Sequence, residues 1–423
     1  MTSSLLSSLQ SFAGRRLSPD RVRFYCLAIL TVNAILLSLH FVTDNKYQTM
    51  AGHTLGGDFA SFYIDSTIFL QHSPTKIHNL ELQDRLLHEL LPGEDANASQ
   101  PYLYPPFFIL FFLPLALLPY ALAYLLWTAL SVALYTAGFL LAWETTASIP
   151  RGLRATAVLL ALAFIPFTMY CLLGGQVSTF GFFWLALALN LEKRGRLVAS
   201  GASLSLLLYK PPLLLLIVPM LLITRRIRTL LGLTLGIGVL TLVSLWVVGW
   251  QGVLDYVHLL SIVRSEVSAP VTVYQTWKAV DAGAFFRLLF GPSGATALVL
   301  KSVFSGACAI PLLALWWRCG SSMMAWALTI TWMLIITLYV PIYDTSLVVL
   351  SVLLTADALY SECSRLPRAF KLLMAALFLT PWFTVQMAQA AGIQPLTLVL
   401  VGVGTYQLVF AWRQAVGRAN LNC

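Results

Sequence analysis

The sequence predicts an all-α, polytopic transmembrane helical bundle, and three observations predict it. Of 423 residues, 59% are hydrophobic and only 10% charged. Continuous runs of Leu, Ala, Val and Phe, near the roughly 20 residues that cross a bilayer, recur along most of the chain. A transmembrane barrel would instead show alternating segments of about 10 residues, and these runs do not alternate. The runs correspond to about 11–13 membrane helices, some of them short or re-entrant. No internal repeat, Gly/Ser linker or low-complexity block divides the chain, so residues 1–423 read as one membrane domain.

The first run, 24–42, follows Arg15, Arg16, Arg21 and Arg23 and has no small-residue cleavage site. It reads as an uncleaved helix that starts on the cytoplasmic side. The loop that follows, 43–101, is then external. In its middle, leucines at 80, 82, 86, 87, 90 and 91 have the spacing of an amphipathic helix on the membrane surface. Apolar runs follow at 104–118, 120–142, 155–173, 177–191, 197–209, 212–223, 229–249, 295–317, 323–341, 345–360, 370–390 and 395–412. The pair on either side of Lys210-Pro211-Pro212 is too short to span singly, and both of its far ends carry basic loops, 193–196 and 225–228. That pattern predicts a helical hairpin with a proline-broken tip that holds Lys210 near the far leaflet. A second external stretch covers 250–294, and Gly232-x-x-x-Gly236 reads as close helix packing. This topology sets Asp58, Lys210, Gln275, Trp277 and Asp344 near one face. It leaves one conflict: two apparent spans separate the external loop from basic Arg151 and Arg154. Either these arginines are external or one element between 102 and 191 does not cross.

Lys and Arg number 26 against 17 Asp and Glu, for a net charge of +9. They cluster in short loops between apolar runs, so they read as topology signals and not as a nucleic-acid surface. The six cysteines are scattered with no Cys-x-x-Cys spacing, which supports neither a disulfide framework nor a metal site. His53, His72, His78, His88 and His258 likewise lack ligand spacing and read as exposed loop residues. No cofactor is called for.

The stretch Gly56-Gly57-Asp58-Phe59-Ala60-Ser61-Phe62-Tyr63 is the most chemically suggestive one. A carboxylate held just outside the bilayer can take a proton from a hydroxyl while a lipid-borne leaving group arrives from the membrane. The plainer alternative is an acid that caps the helix after it. Lys210, set in apolar sequence, is costly unless it is paired, faces water or snorkels to the interface. Asp344 also has apolar sequence on both sides. Asp65 lies seven residues beyond Asp58, on the same helical face. No Asp-x-Asp and no phosphate-cradling glycine loop is apparent, which favours a lipid-linked substrate over a nucleotide one.

These motifs come in a recognisable order. Gly57-Asp58-Phe59 leads to Phe62-Tyr63, and Tyr104-Pro105-Pro106-Phe107 opens a run that ends at Pro114-Leu115-Ala116-Leu117-Leu118-Pro119. Gly175-Gln176-Val177, Arg194-Gly195-Arg196 before Ser200-Gly201, and Lys210-Pro211 follow. As a set, over about 56 to 228, they resemble glycosyltransferase family 87. The C-terminal half matches only in texture, apart from Tyr343-Asp344. The resemblance implies a GT-C type integral membrane enzyme that uses a polyprenyl-phosphate sugar donor, commonly mannose, and a lipid or glycan acceptor among membrane lipids. It implies an outward-facing site in a bacterial cytoplasmic membrane, with the family's catalytic aspartate falling on Asp58. Lys210, Tyr63, Asp65, Tyr104, Gln176, Gln275, Trp277 and Asp344 are the candidate substrate-binding residues. Phe62 stands where the family often has a tyrosine, so one hydroxyl is missing. Two rivals stay open: a transporter or flippase, and a surface-glycan polymerase or ligase.

Overall fold

A computed structural model describes residues 18–43, 47–49, 54–91, 102–267, 275–291, 295–320 and 322–417. The remainder of both external stretches lies outside the described residues. What is described is helical, with isolated bridges such as Ala279 to Pro341 in place of a sheet. The helices used below are α1 (Pro19–His40), α2 (Phe59–Gln71), α3 (Leu80–Leu90), α4 (Tyr120–Trp143), α5 (Arg154–Leu162), α6 (Ser178–Lys193), α7 (Leu197–Ser205) and α8 (Leu214–Ile223). After them come α9 (Ile227–Val267), α10 (Ala282–Phe290), α11 (Ala295–Cys319), α12 (Met323–Ile336), α13 (Val348–Cys363), α14 (Arg368–Leu379), α15 (Thr384–Ala391) and α16 (Pro395–Ala415).

Among the described residues, six helices are long and apolar enough to cross a bilayer, or up to eight if two bent pairs each count as one span. Three shorter apolar helices, Leu197–Tyr209, Pro211–Ile223 and Met323–Ile336, bring the apolar elements to the lower end of the expected number. Burial orders them. Within the span that contains α13, 72% of the most apolar window is inside the protein, against 11% for α1 and for α11. Those two outer helices turn Phe24, Val32, Ile35, Leu298, Val303 and Ile310 outward, as a lipid-facing surface requires. Inside, α12, α13 and α16 are joined by a hydrogen-bonded group in which Gln407 donates to Ser351 and Thr355, and Ser351 meets Thr331.

Contacts between loops sort the turns onto two ends. At the basic end, Arg23 donates to Gly152 O, Arg151 to Thr146 O, and Arg194 pairs with Glu144 at 2.6 Å. There too Arg226 pairs with Glu192 at 2.8 Å and donates to Ser322 O, while Arg318 lies over the Trp412 ring. At the other end, His40 accepts from Gly56 N, and Tyr124 donates to Leu172 O. Arg151 and Arg154 therefore share an end with Arg194, and the conflict noted above has a clear origin. The 104–118 run is not a span: it is a 3-10 turn, Pro106–Phe111, and a single helical turn, Leu113–Ala116, packed beside α2 and α9. Its three internal prolines deny it the backbone donors of a continuous helix.

The hairpin forms as expected. Leu197–Tyr209 and Pro211–Ile223 run to and from a break at Lys210-Pro211-Pro212. The glycine motif packs as expected: a Cβ on Gly232 would meet Val198 O at 2.0 Å, and one on Gly236 would meet Ser205 Oγ at 2.2 Å. The amphipathic helix exists as α3, capped by Asn79, whose Oδ1 accepts from Leu82 N at 2.9 Å. Its apolar face packs on α2. Two expectations fail. His78 is buried between the Tyr102 and Tyr256 rings, with centroids at 5.8 and 5.1 Å. Cys363 is disulfide-bonded, a pairing that spacing did not reveal.

Candidate functional site

Two glycine-bearing turns meet at the end opposite the basic loops. Gly56 and Gly57 precede α2 with φ of 80° and 48°. The chain from α5 bends by 50° into a π-helix, Pro166–Leu173, and ends at Gly174-Gly175-Gln176. A Cβ on Gly175, whose φ is 65°, would lie 2.3 Å from Gly56 O, so only glycine allows the two backbones to touch. Asp58 N donates to Gly174 O at 3.1 Å across this contact. Carbonyls exposed by the bend are taken up by Tyr124 at Leu172 O and by Trp127 at Gly175 O, as buried backbone groups require.

The docked turns bring Gln176 to Asp58. Asp58 occupies the N-cap position of α2, yet its side chain makes no capping bond. Instead its Oδ2 accepts a hydrogen bond from Gln176 Nε2. The carboxylate is partly exposed and the amide is buried.

The hairpin tip supplies the cation. Lys210, with 13% of its side chain exposed, forms an ion pair with Asp344, which is 1% exposed. Ser178, the first residue of α6, donates to Asp344 Oδ1 at 2.7 Å, so both oxygens of this carboxylate are satisfied. The Tyr343 and Tyr339 rings lie 5.0 and 5.9 Å from Lys210 Nζ. Gln176 and Ser178, two residues apart at the start of α6, bond Asp58 and Asp344 respectively, which sets the two pairs side by side. Tyr104 is partly exposed, and its ring stacks on buried Tyr209 at 6.2 Å, one residue before Lys210. The segment with Gln275 and Trp277 is tied to the same turn: Val280 N donates to Val340 O and Val340 N to Asp281 Oδ2. Gln394 Nε2 holds Trp277 O at 2.9 Å.

Two candidates lie apart from this group. Tyr63 donates its hydroxyl to Leu118 O at 2.8 Å and packs on Tyr120. Asp65 is 1% exposed, with neither carboxylate oxygen hydrogen-bonded. Burial holds its carboxyl well above the usual carboxylate range, and nearby Gln83 offsets this only in part. Phe62 is core, stacked on Phe112 at 4.5 Å. Sequence reasoning missed Ser178, which holds Asp344, and Asp281, the buried acid that caps α10 and anchors Val340. An acid two residues before a glycine at a helix start was the available signal for Asp281. Among the described residues, no three His, Cys, Asp or Glu side chains converge as metal ligands would.

The model of glycosyltransferase family 87 matches residues 102–341, more than half of the chain. No curated protein matches the chain. The matched residues include Gln176, Ser178 and Lys210 but neither Asp58 nor Asp344. Each of these outlying acids is nonetheless bonded to matched side chains: Asp58 to Gln176, and Asp344 to Ser178 and Lys210.

Proposed function

The chain belongs to glycosyltransferase family 87, and on that premise we propose that it transfers a hexose such as mannose from a polyprenyl-phosphate carrier to a hydroxyl of a lipid or glycan acceptor. Asp58 is the general base. It takes the acceptor's hydroxyl proton as that oxygen bonds to the anomeric carbon. The bond from that carbon to the phosphate oxygen breaks, and polyprenyl phosphate leaves with the electron pair. One such displacement inverts the anomeric centre. Gln176 holds the carboxylate in place by its amide, and Lys210 offsets the charge that grows on the departing phosphate. An ammonium carries three donors, so Lys210 can keep Asp344 and still reach a phosphate oxygen.

The observation that carries this reading is the meeting of an oriented carboxylate, bonded to Gln176 and making no capping bond, with the Lys210 hairpin tip at one end of the bundle. Lys and Arg gather at the opposite end, which by their usual bias faces the cytoplasm. The site then faces outward across a bacterial cytoplasmic membrane. The test is a purified preparation in lipid discs, supplied with polyprenyl-phosphate mannose and native membrane lipids. Free polyprenyl phosphate should appear in step with a new glycosidic bond of inverted configuration. Labelled donor that changes leaflet with no new bond would identify a transporter and sink the proposal.

A further inference from the structure

A cleft of about 490 Å³ opens between the outer loop and α9, away from the Asp58 turn. Its volume lies in the range of small-molecule sites. One wall is the start of α3 with the short turn before it, Pro74–Lys76, and the other is α9 beyond Gly249. Gly249 has a φ of 69° inside the helix, and this bend swings the later part of α9 across to the loop.

We propose that this cleft binds a neutral saccharide, the glycan headgroup of the acceptor. The acceptor assignment rests on the transferase reading, whereas the saccharide assignment rests on the lining. Lys76 and Asp255 bring opposite charges to the cleft, so neither an anion nor a cation is favoured as a whole. Asn79 spends its Oδ1 on the cap of α3, leaving Nδ2 as the donor for a ligand. Gln251 donates to Asp255 Oδ1 at 3.0 Å, leaving Gln251 Oε1 and Asp255 Oδ2 as acceptors, with His258 beside them. Donors and acceptors alternating on planar side chains suit sugar hydroxyls, each of which both donates and accepts. An apolar ligand would strand these groups.

The cleft is also mechanically joined to the reaction centre. His78 forms part of its lining, and its Nε2 bonds Tyr104 O at 3.3 Å. Burial lowers the His78 pKa to about 4, against the opposing pull of the Tyr104 carbonyl and Asp255. The ring is therefore neutral at ordinary pH, and its Nδ1 has no protein partner. From His78 the rings of Tyr102 and Tyr104 continue to Tyr209 at the hairpin tip, with Tyr102 and Tyr104 5.5 Å apart. The wall of the cleft and the hairpin tip that carries Lys210 are thus parts of one packed series of rings.

The experiment is saturation-transfer NMR on the full chain in lipid discs, prepared without any glycoside detergent. The probes are three neutral disaccharides: methyl mannobioside, methyl maltoside and methyl lactoside. At least one should bind the wild type, and Gln251→Leu and Asp255→Leu should each weaken it by about tenfold or more, as loss of a paired polar contact predicts. Both positions have exposed or half-exposed side chains, and His258→Leu, at an exposed position, gives a third reading should either variant melt early. Asp58→Asn should bind the sugar as the wild type does. The proposal is overturned if no probe binds, if binding survives all three cleft substitutions, or if Asp58→Asn alone abolishes it. Because this readout needs no turnover, failure of the cleft is distinguishable from failure of the transferase reading, which is judged by polyprenyl phosphate release.

Discussion

Asp58 sits where a capping acid would sit, but its carboxylate turns to Gln176 and leaves the helix uncapped. Asp58→Asn should therefore leave expression and melting nearly unchanged, since no cap is lost, and should abolish transfer, since an amide cannot take the proton. Wild-type turnover by this variant would remove Asp58 from the mechanism. Lys210 needs a more careful experiment. Truncating it leaves Asp344 buried without its partner, at about 3–5 kcal/mol, so Lys210→Met alone confounds stability with donor binding. The double change of Lys210→Met with Asp344→Asn removes both charges and keeps a group for Ser178 to bond. It should regain most of the lost melting temperature while donor use stays strongly impaired; Lys210→Arg should recover only part, because its planar fork meets phosphate differently. Normal donor KM and kcat in the double variant would show that Lys210 serves structure only. Asp65 offers a pH test. Its carboxyl is raised by burial, so the folded state holds a proton that the unfolded chain has released above about pH 4. The stability it contributes is present below the unfolded value and is lost as pH rises toward the folded one. Melting temperature should fall over that rise in the wild type and flatten in Asp65→Asn; equal slopes would mean that Asp65 is ionised in the fold.

At the scale of elements, what could be read in the sequence was whatever local pattern determines. The hairpin around Lys210 was legible because two prolines and two basic loops allow little else. Helix α3 was legible from its leucines, and the packing of α7 on α9 from Gly232 and Gly236. The short 104–118 run left the topology open, because its apolar content suggests a crossing while its prolines break the helix that would make one. His78 misled because its surroundings in sequence are polar, and its burial is made by Tyr256, far along the chain. The site was visible as separate motifs but not as pairs. Nothing local says that Gly56-Gly57-Asp58 docks on Gly174-Gly175-Gln176, since that contact depends on a π-helix and a 50° bend. The docking has its own test. Gly175→Ala adds a Cβ 2.3 Å from Gly56 O at a φ of 65°, a combined strain of about 1–3 kcal/mol or more. It should part the turns and reduce kcat by about tenfold or more, because misplaced catalytic groups are costly. Gly195→Ala is the control: its φ is 74°, nothing lies within 4 Å, and it stands at the basic end. It should share the backbone penalty and leave turnover unaltered, so equal losses in the two variants would reduce Gly175 to a matter of general stability.

For the whole molecule, the two ends define one physical asymmetry. Arg23, Arg151, Arg194, Arg226 and Arg318 are tied into the turns of one end, while Asp58, Lys210 and Asp344 meet at the other. Trp246 and Trp250, strongly exposed near the bend of α9, lie toward the site end, and Trp317, which Arg225 covers at 5.5 Å, lies at the basic end. Aromatic rings at both levels mark two water interfaces, with the apolar faces of α1 and α11 between them. An orientation with the basic end in the cytoplasm satisfies the charge bias of every such turn at once, including 151–154, whose side the sequence left open. The prediction follows for single cysteines placed in an otherwise cysteine-free chain and labelled in intact cells with a membrane-impermeant maleimide. Lys278→Cys and Gln71→Cys, both at exposed positions of the site end, should react from outside. Gly152→Cys and Gly195→Cys, which have open space around them at the basic end, should react only after the membrane is breached. The Gly152 result is the most discriminating of the four, because it reports on the first turn after the 104–118 segment and so bears most directly on whether that segment crosses. Labelling of Gly152→Cys from outside together with silence at Gly195→Cys would break the two-ended arrangement. The reverse pattern at all four sites would keep that arrangement and turn the site to the cytoplasm, where the donor would have to be presented from the inner leaflet.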